Sequence, residues 1–444
     1  MTEQVDVVVL GMGPGSEDAA GRLAEAGFDT VGIDGKLLGG ECPYWGCIPS
    51  KTMVRAADLL AEGRRIPGNA GSSVITPDWV PVARRIREVT DSWDDTVAVD
   101  RFVDKGGRFI RGRARVTGPS TVDVDGEEIT AEKALVLATG AHAWIPPVFA
   151  DIPHWTNREA IATETVPESL LIIGGGAVGL EIGQVMSRFG AKVTIVEMGD
   201  RIAGAEEPEV SEAITGILRR EGLDVRTGVE IVSAASSGGT GCTIRLGDGS
   251  SLSAERLLVA TGRRPDLAAL GAAALGLDDT AHALPVDTRM RIMPGVWAVG
   301  DITGKGAFTH LAVYQARICV ADILGQPIAE ADYRALPRVT FTDPEIGSVG
   351  MTEAEARQSG GDVRVMSEPI AESARGWIYK SEGLIKLVEM DGVLVGATSM
   401  APSGGEVLGL LTLAVHARIP VTTLKGMIYA YPTFHRAIDS ALWS

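Results

Sequence analysis

Short apolar, β-branched runs and helix-like stretches alternate through the first part of the chain. Residues 5–10 predict a strand that ends in glycines, and residues 17–26 a helix. A second strand, Thr30 to Ile33, ends at Asp34. Strand, glycine turn, helix, strand and acid together make a β-α-β dinucleotide unit. The same order recurs at 170–197, where LLIIGGGAVGLEIGQVMSRFG predicts strand, turn and helix, and KVTIVE closes on Glu197. One glycine fingerprint is weak evidence, but two copies about 160 residues apart, each closed by an acid, point to two bound nucleotides.

Between the copies, residues 79–105 predict one amphipathic helix whose charged face holds Arg84, Arg85, Arg87 and Glu88. Residues 108–137 alternate apolar and polar around turns at Gly118-Pro119 and Asp125-Gly126, which predicts a β-meander ending in KALVLATG. The second half repeats this with a meander over 229–256 and RLLVATGRRP over 256–265. A third strand, in GVWAVGDITG, ends at Gly300-Asp301. From about 332 the pattern becomes antiparallel strands and helices, a separate α+β domain. The expected fold class is therefore α/β, with two Rossmann-like domains and a C-terminal α+β domain.

Composition narrows the function classes. Glycine accounts for 55 of 444 residues, about 12% against a usual ~7%. With no collagen-like period, these glycines suggest tight turns and close ligand approaches. The net charge of −17 argues against a general nucleic-acid or anionic-membrane binder. It leaves room for a phosphate-bearing ligand held by helix N-termini. No apolar run approaches the ~20 residues needed to span a bilayer, and the N-terminus lacks signal-peptide features. Four cysteines cannot make a secreted disulfide scaffold, so a cytoplasmic enzyme with one special pair is expected.

That pair is Cys42 and Cys47 in GGECPYWGCIPSK, residues 39–51. The spacing allows a small disulfide loop, and Pro49 fits a helix that begins near Cys47. A helix N-terminus lowers a thiol pKa below its usual ~8.5 and favours exchange. The alternatives are a structural disulfide or half a metal site. A cytosolic setting disfavours the first, no second Cys or His cluster supports the second, and no metal is expected. In the first glycine loop, Gly11 and Gly13 would let a pyrophosphate approach, while Ser16 replaces the third glycine and follows Gly15. Asp34 would accept from a ribose. Gly174, Gly176 and Gly179 complete the second loop, and Glu197 would repel a 2′-phosphate, favouring NAD over NADP. Either acid could instead be an ordinary strand-end carboxylate.

Together with the GMGPGS loop, the ATG strand ends, GVWAVGD, TFTDPEIGSVG and YPTFHRA, this redox segment resembles the FAD-dependent pyridine nucleotide-disulfide oxidoreductases. That family includes dihydrolipoamide dehydrogenase, glutathione reductase and mercuric reductase, and the resemblance covers essentially the whole chain. It implies an FAD-binding domain over 1–150 that carries the redox disulfide, and an NAD(P)-binding domain over 151–270. A return of the FAD domain over 271–331 and a dimerisation domain over 332–444 would follow. FAD would be held through Gly11, Gly13, Gly15, Ser16, Asp34, Gly40, Glu41, Ala114, Thr139, Gly140, Gly300, Asp301 and Thr309. Gly262 belongs to the second ATG end. Cys47 matches the cysteine that lies against the flavin as a charge-transfer thiolate, and Cys42 the interchange cysteine that attacks the acceptor. Lys51 and Glu181 match the ion pair beside the flavin's hydride-accepting nitrogen.

The family's disulfide-reducing members end in His-Pro-Thr-x-x-Glu, and the histidine reaches in from the partner subunit of a homodimer. This chain has Tyr431-Pro432-Thr433 and Arg436, so neither member of that dyad is present. Reduction of lipoamide or glutathione disulfide is thereby put in doubt. Tyrosine at this position is similar to mercuric reductase, yet ALWS lacks that enzyme's cysteine pair, which weakens the case for mercury. His435 could be a displaced base or a surface helix residue. The aromatics Tyr44 and Trp45 could stack on a planar substrate or pack against the flavin domain. The resulting expectation is an NADH-dependent flavoprotein reductase that passes two electrons through FAD and Cys42–Cys47 to a small-molecule or small-disulfide acceptor. The alternatives are a dihydrolipoamide dehydrogenase or low-molecular-weight disulfide reductase, a mercuric-reductase-like or quinone reductase, and a flavin-binding redox sensor.

Overall fold

The computed structural model describes residues 3–444 and divides into two compact units. One comprises residues up to Ser50, Arg84–Trp144 and Gly262–Asp332; the other comprises Lys51–Ala83, Ile145–Thr261 and Tyr333–Ser444.

In the first unit the strand Glu3–Leu10 lies between Glu127–Leu137 and Thr30–Asp34, parallel to both. Beyond these, Arg108–Arg111 and Val296–Ala298 extend the parallel sheet, and Arg291–Met293 closes one edge antiparallel. A hairpin, Ala114–Gly118 with Thr121–Val124, leads into the Glu127 end. Strands covered on both faces need nearly continuous apolar sequence, and Val7, Val8, Val9 and Leu10 are all buried. The helix Pro14–Glu25 begins with Pro14, whose missing N–H is no loss in a first turn. Gly15 lies where a Cβ would come within 2.6 Å of the Ala312 carbonyl oxygen, so its bareness lets this helix press against Thr309–Ile323.

The second unit holds a four-stranded parallel sheet in the order Asp224–Arg226, Lys192–Val196, Ser169–Ile173, Arg256–Val259. A three-stranded antiparallel meander, Ile231–Ser236, Cys242–Leu246 and Ser251–Ala254, accompanies it. Arg256–Val259, the strand expected to follow the meander, joins the parallel sheet beside Ser169–Ile173. From Pro337 to Ala401 a five-stranded antiparallel sheet forms, and the helices Gly404–His416 and His435–Leu442 contribute to its core.

The single helix expected over 79–105 is two, Val80–Val89 and Thr96–Asp104. Short polar side chains explain the break, because they bond to nearby backbone and compete with the helix. Thr90 Oγ1 donates back to the Ile86 carbonyl at 2.8 Å, while Asp94 Oδ1 accepts the Thr96 amide at 2.8 Å and starts the next helix.

Candidate functional site

The two glycine loops are built alike. Gly11 and Gly174 both have left-handed backbone, with φ of 86° and 110°. A Cβ on either would strike the carbonyl oxygen of Ala138 or Ala260, at 2.4 and 2.3 Å, so only glycine lets the strand turn there. Gly13 and Gly176 stand at the N-caps of Pro14–Glu25 and Ala177–Arg188, and a Cβ on either would meet nothing within 4 Å. Each helix therefore presents its N-terminus to open space, the setting in which backbone amides hold a pyrophosphate. Gly179 lies tight under Gly174, whose carbonyl oxygen would be 2.1 Å from a Cβ. Ser16 is buried and its hydroxyl donates to the Gly13 carbonyl at 3.0 Å.

The closing acids match too. Asp34 accepts the amides of Met12 and Lys36, each at 2.8 Å. Glu197 accepts those of Gly175 at 2.8 Å and Gly199 at 2.7 Å. An ionised carboxylate has about four lone-pair sites, so each keeps acceptor capacity for ribose hydroxyls. Loop, helix terminus and oriented acid fit one dinucleotide in each unit.

Of the other positions expected around FAD, Gly40 is left-handed and presses against Gly13, whose Cα would lie 2.8 Å from a Cβ there. Glu41 opens the short helix Glu41–Trp45, and Ala114 opens its hairpin. Thr139 and left-handed Gly140 follow the strand Glu127–Leu137. Gly300 donates its amide to Gln315 Oε1 at 2.7 Å and precedes the turn Asp301–Thr303. Burial pushes the Asp301 carboxyl up, opposed by Arg263 at 3.5 Å and reinforced by Glu41. Gly262 is left-handed and its carbonyl accepts the Trp144 amide at 2.9 Å.

Cys42 lies in Glu41–Trp45, and Cys47 opens the helix Cys47–Arg64 with Pro49 in its first turn. The structure holds both as thiols. The hydrogen bond to Cys47, and then burial, push the Cys42 thiol far above its ordinary value. In its thiol form Cys42 thus stands hydrogen-bonded to Cys47. Thr309 Oγ1 lies 3.5 Å from Cys47 Sγ, within reach to donate to a thiolate there.

Lys51, on the helix Cys47–Arg64, donates to Glu181 Oε2 at 2.7 Å, and its ammonium lies 4.6 Å from the centre of the Phe341 ring. Glu181 is buried, and its other oxygen accepts the Phe341 amide at 2.9 Å. The same face of Ala177–Arg188 carries Gln184 and Arg188, which the sequence did not mark. Gln184 Oε1 accepts the Asp343 amide at 2.8 Å. Arg188 is buried and bonds Asp58, Glu221 and Asp343 at 2.7, 2.7 and 2.8 Å.

Burial pushes Asp58 up to about 6, with Arg188 opposing and Asp343 adding to the rise. An acid whose folded pKa is raised binds more protons folded than unfolded, so stability falls as pH rises from ~4 to ~6. With the side chain 30% exposed, the loss is discounted to about 1–2 kcal/mol. Urea midpoints at pH 4 and 7 should show Asp58→Asn gaining that much on the wild type as pH rises. A difference that does not change with pH would contradict this origin.

Tyr431 is 73% exposed, and His435 begins the helix His435–Leu442. Tyr44 is buried, and the Trp45 ring stacks on Trp93 with centroids 5.2 Å apart. Packing within the unit thus accounts for both aromatics of the redox segment.

Comparison with known proteins agrees with this architecture. Residues 5–316 match the family described as pyridine nucleotide-disulphide oxidoreductase, and residues 336–442 match its dimerisation domain. A dihydrolipoyl dehydrogenase of Haloferax volcanii is 30% identical over 457 residues, covering 98% of this chain and 95% of its own length. A mercuric reductase of Acidithiobacillus ferrooxidans is 31% identical, covering 99% and 82%. The Cu(II) complex of the HOCl-induced flavoprotein disulfide reductase RclA from Escherichia coli superposes with a TM-score of 0.87 at 26% identity. It covers 100% of this chain and 99% of its own. The chain belongs to the pyridine nucleotide-disulphide oxidoreductases, FAD-dependent enzymes that take electrons from NAD(P)H.

Proposed function

We propose that this enzyme passes an electron pair from NADH, by way of FAD and the Cys42–Cys47 couple, to an acceptor other than an ordinary dithiol-type disulfide. The hydrogen-bonded thiol pair with Thr309 at the Cys47 sulfur carries the reading. When bound, FAD supplies the relay that takes hydride from the nicotinamide and hands two electrons to sulfur. In sum, NADH, one proton and the Cys42–Cys47 disulfide give NAD⁺ and two thiols. Against a disulfide acceptor, Cys42 sulfur bonds one acceptor sulfur and the acceptor S–S bond breaks, releasing one thiol. Cys47 sulfur then attacks Cys42, which re-forms the protein disulfide and releases the second thiol. Lys51 would supply positive charge to the flavin, and Glu181, fixed by the Phe341 amide, keeps that lysine oriented. The helix N-termini at Gly13 and Gly176 and the acids Asp34 and Glu197 hold the two nucleotides.

NADH should be the better donor. Glu197 is held in place by two amides, and Arg201, the nearby cation, donates to the carbonyls of Gly204 and Glu206 at 2.7 and 3.1 Å. A 2′-phosphate would meet the carboxylate, while Nη2 of that guanidinium is already bonded to two carbonyls. We expect kcat/KM to favour NADH over NADPH by ~10-fold or more. Equal values, or a preference for NADPH, would refute it.

The acceptor reading rests on Tyr431 standing where the family's acid–base histidine would be. A phenol with a reference pKa of ~10 can donate a proton or ligate but is no ready base at pH 7. Its exposure on a single chain, in a segment matching a dimerisation domain, supports a homodimer in which it completes the partner's site. Steady-state assays with lipoamide, quinones, small disulfides, Hg(II) and Cu(II) test the reading. Lipoamide should be a poor acceptor, and Tyr431→Phe should slow the best acceptor ~10-fold while leaving flavin reduction by NADH unchanged. Lipoamide as the best acceptor, or full turnover in Tyr431→Phe, would contradict it.

A further inference from the structure

The turn that splits the two helices after Thr90 reaches back onto the redox segment. Three consecutive non-glycine residues, Asp91, Ser92 and Trp93, have left-handed backbone, with φ of 49°, 53° and 60°. Such strain persists only where the surroundings over-determine it, and it gathers at functional sites. Two backbone hydrogen bonds close the turn, Trp93 N to Thr90 O at 2.8 Å and Asp94 N to Asp91 O at 3.0 Å.

The turn then touches both ends of the segment that carries Cys42. At the near end, buried Asp95 accepts the Leu38 amide at 2.6 Å. Asp95 is the N-cap residue of Thr96–Asp104, yet its carboxylate makes no cap bond and is spent on Leu38 and on Arg111, at 2.6 Å. At the far end, Trp93 Nε1 donates to the Tyr44 carbonyl at 3.2 Å, and the Trp93 ring stacks on Trp45 at 17° between planes. We infer that Asp91–Asp95 is a clamp that fixes the helix Glu41–Trp45 and so holds Cys42 within bonding reach of Cys47, with Trp93 as its positioning residue.

The chemical consequence is on the equilibrium between the two oxidation states. Holding one thiol beside the other raises its effective concentration and favours the disulfide. Loosening the clamp should shift the couple toward the dithiol. The inference rests on the proposed redox role of Cys42 and Cys47, and the test separates the two claims. The flavin-loaded enzyme is equilibrated anaerobically with oxidised and reduced dithiothreitol. Oxidised dithiothreitol takes two electrons and two protons from the Cys42–Cys47 dithiol as the protein disulfide forms. Acid quench, alkylation and peptide mass then give the equilibrium constant.

We expect Trp93→Ala to shift it ~10-fold toward the dithiol, equal to about 30 mV. Trp93→Phe, which keeps a stacking ring and loses the bond to Tyr44, should fall in between. Trp93→Ala within two-fold of the wild type would overturn the clamp. If Trp93→Ala cannot be isolated with its flavin, Trp93→Phe decides, an intermediate shift supporting the clamp and a wild-type constant overturning it. A wild type whose Cys42 and Cys47 never interconvert would instead refute the redox pair itself.

Discussion

Replacing Cys42 with serine should cut turnover with any disulfide acceptor by at least ~10³-fold while FAD stays bound and NADH still reduces it. Cys47 has the Thr309 hydroxyl beside it and opens a helix, and in the proposed relay Cys42 is the sulfur that meets the acceptor. Only the thiol that reaches the acceptor can make the mixed disulfide, and serine cannot form it. The two variants should differ in colour as well as rate. Cys42→Ser should show long-wavelength charge-transfer absorbance without reduction, because Cys47 is left as a thiolate with no disulfide partner. Cys47→Ser should show none after reduction. Stopped-flow spectra with NADH alone, followed by acceptor mixing, separate the two half-reactions. A Cys42→Ser enzyme with wild-type disulfide turnover, or a Cys47→Ser enzyme that kept the band, would reverse or void these roles.

The largest effect on stability should come from Lys386→Met. Lys386 and Glu207 are each 4% exposed and lie 3.0 Å apart, with Glu209 and Glu353 completing the cluster at 2.9 Å each. Burial opposes the ammonium charge, but bonds to Glu353, Glu209 and Glu207 outweigh it and hold the lysine well above its usual range. Glu207 also accepts the Glu353 amide at 2.7 Å, so it has little freedom to turn toward water. Methionine fills the space and leaves a buried carboxylate without its cation, which costs about 3–5 kcal/mol. The control is Glu209→Gln, whose side chain is 53% exposed and whose loss should cost under ~1 kcal/mol. Chemical denaturation of both variants checks the contrast. A Lys386→Met protein within 1 kcal/mol of the wild type would show that the cluster is not stabilising.

The parts of the site that are local in sequence were legible there. Gly11, Gly13 and Asp34 form one strand–turn–helix–strand unit, so their spacing alone states the geometry, and the second loop repeats it. The redox segment is local too: Cys42 lies in the short helix Glu41–Trp45, and Cys47 and Pro49 open the helix that follows it. What escaped was tertiary. Trp93 meets Trp45 only because the chain breaks a helix at Thr90, and the apolar period through 79–105 hid that break. Arg188 gives no periodic signal that it will gather Asp58, Glu221 and Asp343 from distant segments. Lys386 likewise carries no local signal that Glu207 and Glu353 will meet it from distant segments.

The central claim is that NADH reduces a disulfide between Cys42 and Cys47. Its most direct test is an anaerobic NADH titration of the oxidised flavoenzyme, followed by quench and alkylation of the thiols it uncovers. The account predicts two new thiols per chain, at Cys42 and Cys47, with buried Cys242 and Cys319 unchanged by the titration. Flavin reduction with no new thiol at either Cys42 or Cys47 would contradict it.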